Sequence, residues 1–262
     1  MHADSHFVIG HEHTVCQDYA ACWQTETGVV AAMADGCSTA PDTDVGARLL
    51  VLLAKQHMPG GLDSLEDKIL ESLPTPPGAG GLDWRAYRAT LGIVSAQPEG
   101  ASVRLWGDGV VIAVRHTGEV EAQVVNYDEG APPYLCYKKL PEEIAAWGRL
   151  SKQGAYTVES ISQGSSQTRR GENPELKPLC LEYPAETYRV VAVCSDGLMS
   201  AYSPSGPVPV SEMVSHLGSL PNLSGEFVVR KLRNGLSKFL KKANAVHADD
   251  VSMAAVVLDG GI

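Results

Sequence analysis

Four aspartates stand where apolar runs begin or end, and residues of that type in that pattern could hold a hard metal ion. Asp35 closes Val29-Val30-Ala31-Ala32-Met33-Ala34 just before Gly36, and the phrase returns in Val190-Val191-Ala192-Val193-Cys194-Ser195-Asp196-Gly197. Asp18 sits in Cys16-Gln17-Asp18-Tyr19, and Asp249-Asp250 opens a further apolar run from Val251 to Leu258. A carboxylate at the end of a buried strand has rigid backbone beneath it and open space above, which suits a metal ligand. A single Asp-Gly is more often a surface turn; repetition is what argues for a shared site. Carboxylates drawn together repel one another unless protons or cations intervene. An all-oxygen donor set favours Mg²⁺ or Mn²⁺ over zinc or copper. Two such ions roughly 3.5–4 Å apart can share a water, lower its pKa and aim it at phosphorus. The chain carries no GxSxG, GxxxxGK[ST] or HExxH motif that would offer a rival chemistry. His11 and His13 flank Glu12 in the manner of zinc ligands, but no third nitrogen or sulfur ligand accompanies them.

The elements that must place these aspartates follow from hydrophobic periodicity. The runs at 29–33 and 188–194 read as fully buried strands: short, apolar, partly β-branched and closed by glycine. Further strands are predicted at 6–9, 90–95, 101–106, 110–114 and 119–125. A helix is predicted over 44–58, capped by Asp42 or Thr43 and carrying a stripe of Val45, Leu49, Leu52 and Leu53. Others are predicted over 62–73, 141–150, 211–220 and 224–244, the last with lysines in its final turns to complement the helix dipole. Gly107-Asp108-Gly109 lies between two apolar runs and reads as a hairpin, which accounts for Asp108 without metal. The Pro- and Gly-rich stretch 74–81 reads as a mobile loop. Residues 160–178 are polar and aperiodic and read as a mobile surface flap. Within it Arg169-Arg170 is either a solvated basic pair or a contact for an anionic substrate.

Bulk properties narrow the function further. At 262 residues, with 44% hydrophobic and 20% charged side chains, the chain can bury a substantial core as a single domain, 1–262. Its net charge of −10 opposes nucleic-acid binding through phosphate neutralisation and suits a protein that gathers divalent cations. No apolar run reaches the roughly 18 residues of a membrane span. Met1-His2-Ala3-Asp4-Ser5-His6 lacks the cationic start and apolar centre of a signal peptide. The 6 cysteines form no CxxC pair, so the expected compartment is the cytoplasm.

The order Gln17-Asp18, Ala34-Asp35-Gly36, Ala89-Thr90-Leu91, Gly107-Asp108-Gly109, Ser195-Asp196-Gly197 and Asp249-Asp250-Val251-Ser252 resembles the type 2C family of metal-dependent protein Ser/Thr phosphatases, in its compact bacterial branch. The resemblance runs over residues 6 to 258. It implies an α+β fold: a central β-sandwich of two antiparallel sheets flanked by helices, four layers in the order α-β-β-α. It implies catalytic Asp35, Asp196 and Asp249 and a two-ion Mn²⁺ or Mg²⁺ site. There Asp35 bridges both ions, the Gly36 carbonyl binds one, Asp196 and Asp249 hold the other, and Asp18 binds directly or through water. It implies hydrolysis of phosphoserine and phosphothreonine in proteins by direct attack of a water shared by the ions, opposite a Ser/Thr kinase and as a monomer. His13 stands where many members carry a phosphate-gripping arginine, Cys37 where animal members carry a proposed acid histidine, and Asp250 where asparagine is usual. A third-ion aspartate is expected shortly before Thr90, where only Asp83 is near. Two alternatives remain: a phosphoprotein-binding module of little or no activity on the same fold, and a small-molecule phosphohydrolase.

Overall fold

The computed structural model describes residues 1–74, 82–152, 154–162 and 164–258. The chain begins with β1 (His2–Val8), β2 (Asp18–Gln24) and β3 (Val29–Asp35), followed by α1 (Thr43–His57) and α2 (Leu65–Ser72). Next come β4 (Leu91–Gln97), β5 (Gly100–Trp106), β6 (Gly109–Arg115) and β7 (Val120–Tyr127), then α3 (Pro141–Leu150). Strands β8 (Ala155–Ser162), β9 (Ser165–Glu172), β10 (Leu179–Pro184) and β11 (Tyr188–Cys194) follow. The last part holds β12 (Ala201–Ser203), β13 (Gly206–Pro207), α4 (Val210–Gly218), α5 (Phe227–Arg230), α6 (Ser237–Lys242), β14 (Val246–His247) and β15 (Val251–Val257). A π-helical segment, Lys231–Leu236, joins α5 to α6.

Two antiparallel sheets form the centre. One is seven-stranded in the order β1-β15-β11-β6-β7-β8-β9, the other five-stranded in the order β10-β5-β4-β3-β2. Side chains alternate between the faces of a strand, and β6 shows the consequence: Val111 and Ala113 join the core between the sheets, while Val110, Ile112 and Val114 face the outer helices. The first core also takes in Leu50, Val51 and Ala54 of α1 and Leu65 and Ile69 of α2. The second is closed by Met213, Val214 and Leu217 of α4 and Phe227, Val228, Leu232, Leu236 and Leu240 of the C-terminal helical run. The layers are therefore helix, sheet, sheet, helix, as the resemblance implied.

Three expectations need correction. The segment 160–178 is largely a β-hairpin: β9 pairs with β8 from Ser165 opposite Ser162 to Glu172 opposite Ala155, and every β9 residue but Gly171 is exposed. Asp42 occupies the N-cap of α1 but makes no side-chain capping bond. Finally, β5 and β6 do not pair; they belong to different sheets, so Gly107-Asp108 is a crossover rather than a hairpin turn. Of the predicted 74–81 loop, residues 75–81 lie outside the described residues.

Candidate metal centre and active site

One end of the sandwich collects acidic residues from both sheets. Asp18 is the first residue of β2 and Asp35 the last of β3, and the register sets them directly opposite. Asp196 follows β11 by one intervening residue, and Asp249-Asp250 immediately precedes β15, the neighbouring strand in the other sheet. Asp108 joins them from the crossover. Directly opposed like charges destabilise a strand pair, so this arrangement is held against its own electrostatics.

The backbone that fixes it is dense with close approaches. The amide of Gly36 donates to the Gln17 carbonyl (3.2 Å), and that of Thr90 to the Asp35 carbonyl (2.8 Å). A Cβ on Gly36 would stand 2.8 Å from Thr43, whose hydroxyl donates to the Cys37 carbonyl and accepts from Gln17. Gly197 likewise packs so tightly on the Asp250 carbonyl that any Cβ would overlap it. Asp250 is an anchor: its carboxylate accepts from the amides of Gly10 (2.7 Å) and Gln17 (2.6 Å), so it pins both ends of the loop that carries His13. The Ser252 amide donates to the Ser195 hydroxyl, tying β15 to the turn before Asp196.

Burial and crowding perturb these acids strongly. Asp18 is 3% exposed, and neither of its carboxylate oxygens has a hydrogen-bond partner of normal geometry. Its burial pushes its pKa up to about 7, with Asp250 adding to the rise and the nearby Ser195 and Ser252 hydroxyls opposing it. Burial, then Asp18, Asp196 and Asp108, hold Asp35 well above the usual carboxylate range. Asp108 is pushed up to about 8 by burial and by Asp196 and Asp249. Asp249 is raised by burial and Asp196, with His13 acting in the other direction. For His13, desolvation pulls downward, but Asp250, Asp249 and Asp18 together outweigh it and the net shift is upward.

These features fit hard cations. Besides Asp18, the Thr90 and Ser252 hydroxyls are buried without partners, and buried polar atoms in native proteins are otherwise satisfied. Several carboxylates whose pKa values are raised by burial and then by one another's charge are what a divalent ion would relieve. Among the described residues, the group of three whose ligand atoms all lie within 4.8 Å of one another is His13, Asp249 and Asp250. His13 faces both of the other two, with Nε2 3.4 Å from Asp249 Oδ1 and Nδ1 3.0 Å from Asp250 Oδ2. The Nδ1 contact is an ion-pair approach whose angle is too poor for a hydrogen bond.

All five sequence-derived positions, Asp18, Asp35, Gly36, Asp196 and Asp249, thus lie at one end of the sandwich, with His13 at their rim. His11 is exposed and contributes nothing to the group. Asp83 lies apart, in an exposed pair with Arg85 (2.8 Å). Sequence reasoning missed Asp108, whose Gly-Asp-Gly setting is the same for a hairpin and for a crossover. It also missed Ser195 and Ser252, whose only signal was nearness to the acidic positions, and Thr90, which has no acidic residue beside it in the sequence. Cys37 is half-buried with its thiol 3.2 Å from the Thr39 hydroxyl and close to the Tyr134 hydroxyl.

Comparison with known proteins agrees with this fold. The crystal structure of a bacterial serine phosphatase superposes with a TM-score of 0.60 at 10% identity, covering 100% of this chain and 99% of that one. The serine/threonine phosphatase Stp1 from Staphylococcus aureus gives 0.59 at 12% identity, over 98% and 95% of the two chains. The S. agalactiae serine/threonine phosphatase gives 0.55 at 15% identity, over 98% and 99%. At such identities the likeness establishes the fold. No curated protein matches the chain in sequence. The family-wide profile described as "Protein phosphatase 2C" matches residues 9–241, which take in Asp18, Asp35, Asp108 and Asp196, and the chain belongs to that family.

Proposed function

We propose that this chain is a protein serine/threonine phosphatase that uses two Mn²⁺ or Mg²⁺ ions to hydrolyse phosphoserine and phosphothreonine. The observation that carries this reading is Asp18: a buried carboxylate neither of whose oxygens has a hydrogen-bond partner of normal geometry, directly opposite Asp35. Such a group is costly unless protonated or paired with a cation. Asp35, Asp196 and Asp249, with Asp18 and the Gly36 carbonyl, would hold the ions. Bound there, the ions neutralise phosphoryl charge and acidify a water. The chain's own residues do the positioning. Asp250 clamps the 10–17 loop so that His13 stays at the rim, and Gly36 and Gly197 allow backbone to approach the acids closely. His13, whose pKa is raised against the opposing pull of desolvation by the neighbouring Asp250, Asp249 and Asp18, is the imidazole at the rim that can meet a phosphoryl oxygen.

The proposal includes a phosphoprotein substrate, an opposing kinase, a monomeric state and a cytoplasmic setting; among the described residues no helix is long and apolar enough to cross a membrane. In a phosphopeptide assay, Mn²⁺ should support phosphate release and EDTA should abolish it. Turnover undiminished by exhaustive chelation would contradict the reading. One observation favours the inactive-module alternative: His13 engages Asp249 and so competes with a cation for it. Calorimetric titration would favour that alternative if phosphopeptide bound tightly and no hydrolysis occurred at any Mn²⁺ concentration.

A further inference from the structure

We propose that the groove between the Val8–His11 stretch and the C-terminal helical run docks an acidic amphipathic peptide segment of a partner protein. The groove measures about 680 Å³, within the range of ligand-binding clefts. Two of the exposed large apolar side chains line it, Ile9 at 46% and Val246 at 36% exposure. Leu232 and Leu236 form part of its floor. Both belong to the π-helical Lys231–Leu236, and π-turns within α-helices recur at functional sites.

Charge selects the occupant. The molecule carries −10 overall, yet the ionisable residues lining this groove are Arg233, Lys241, His11 and His247, with no carboxylate among the described lining residues. Arg233 donates to His6 Nε2 (3.0 Å) rather than to an acid. An apolar floor with a basic rim complements a peptide carrying apolar residues on one face and Asp or Glu beside them. A second copy docking through the same patch by two-fold symmetry would set basic rim against basic rim. An anionic bilayer would meet the repulsion of the whole acidic molecule, whereas a short peptide samples the local field within about a Debye length, roughly 8 Å.

The groove also touches the acidic end. Gly10 lines it and packs so closely on Ala248 and Asp249 that a Cβ there would overlap their backbone. The Gly10 amide is one of the two held by Asp250. An occupant therefore bears on the loop that ends at Asp18.

The test uses the full chain and two fluorescein-labelled designed helical peptides with the same leucine face, one with glutamates on its flanks and one with lysines. Anisotropy should show the glutamate peptide binding at least about tenfold more tightly, with the preference shrinking as salt rises. Arg233→Glu combined with Lys241→Glu should remove or reverse that order, and Ile9→Asp should weaken both, with unchanged melting temperatures showing that the variants fold. Hydrogen exchange should slow over residues 8–17 when the glutamate peptide binds. Equal affinity for the two peptides, or an order untouched by the charge reversals, overturns the proposal. So does a wild-type dimer in sedimentation that Ile9→Asp dissolves, or binding to phosphatidylserine vesicles without binding to either peptide. No readout requires turnover, so the outcome is independent of whether the phosphatase reading holds.

Discussion

Asp18 and Asp35 face each other across β2 and β3, and burial and then neighbouring acids raise the pKa of both, so ionising them without metal is unfavourable at the acidic end. The sign of the pH dependence follows. Carboxyls whose folded pKa is raised bind more protons folded than unfolded between their unfolded value near 4 and their folded value. The stability they contribute is full below pH about 4 and is lost as pH rises through the folded values of about 7 for Asp18 and about 8 for Asp108. Urea unfolding in chelator should therefore show stability falling between pH 5 and 8, by on the order of 1 kcal/mol per pH unit for each extra proton held. Asp18→Asn should flatten this slope and raise metal-free stability by on the order of 1–3 kcal/mol, while reducing the stabilisation that added Mn²⁺ confers. A metal-free wild type that gains stability toward pH 8 would contradict this account of the cluster.

Elements place these residues, and some placements were easier to read than others. The runs ending at Asp35 and Asp196 were legible because a strand buried on both faces is apolar without interruption and needs a glycine to turn. The Gly107-Asp108 link was misread because two apolar strands flanking Gly-Asp-Gly look alike whether they pair or separate into two sheets. Strand β9 was illegible for a different reason. Its residues, Ser165 to Glu172, are all exposed except Gly171, so pairing with β8 makes it a strand and no hydrophobic alternation announces it. Asp42 reaches the N-cap of α1 but with a left-handed backbone (φ 55°) and no side-chain bond; composition specifies a cap residue, not its geometry. Glycine at 197 is an element-scale requirement, since the turn after β11 runs against the Asp250 carbonyl. Gly197→Ala should destabilise the fold by about 1–3 kcal/mol through overpacking and lower Mn²⁺ affinity by displacing Asp196. A variant with wild-type melting temperature and metal affinity would show that the contact yields freely.

At the scale of the molecule, the seven-stranded sheet contributes to both apolar cores, one shared with the five-stranded sheet, α1 and α2, the other with α4 to α6. Neither core is complete without that sheet, so calorimetry should record one cooperative transition; two well-separated transitions would mean that the cores are independent domains. The acidic end exists only because the two sheets stack: Asp18 and Asp35 come from one, Asp196 and Asp249 from the other, and Asp108 from the crossover between them. Family membership and fold agree with a phosphatase, and the decisive issue is whether this interface between sheets binds cations and turns over phosphoester. The most direct measurement is Mn²⁺ titration of chelator-stripped wild type, Asp35→Asn and Asp196→Asn, following manganese bound and phosphate released from a phosphothreonine peptide in the same samples. The account predicts saturable release in the wild type that tracks bound manganese, with both variants losing affinity and at least about a hundredfold of the rate. Equal phosphate release from all three proteins, or release unrelated to bound manganese, would contradict it.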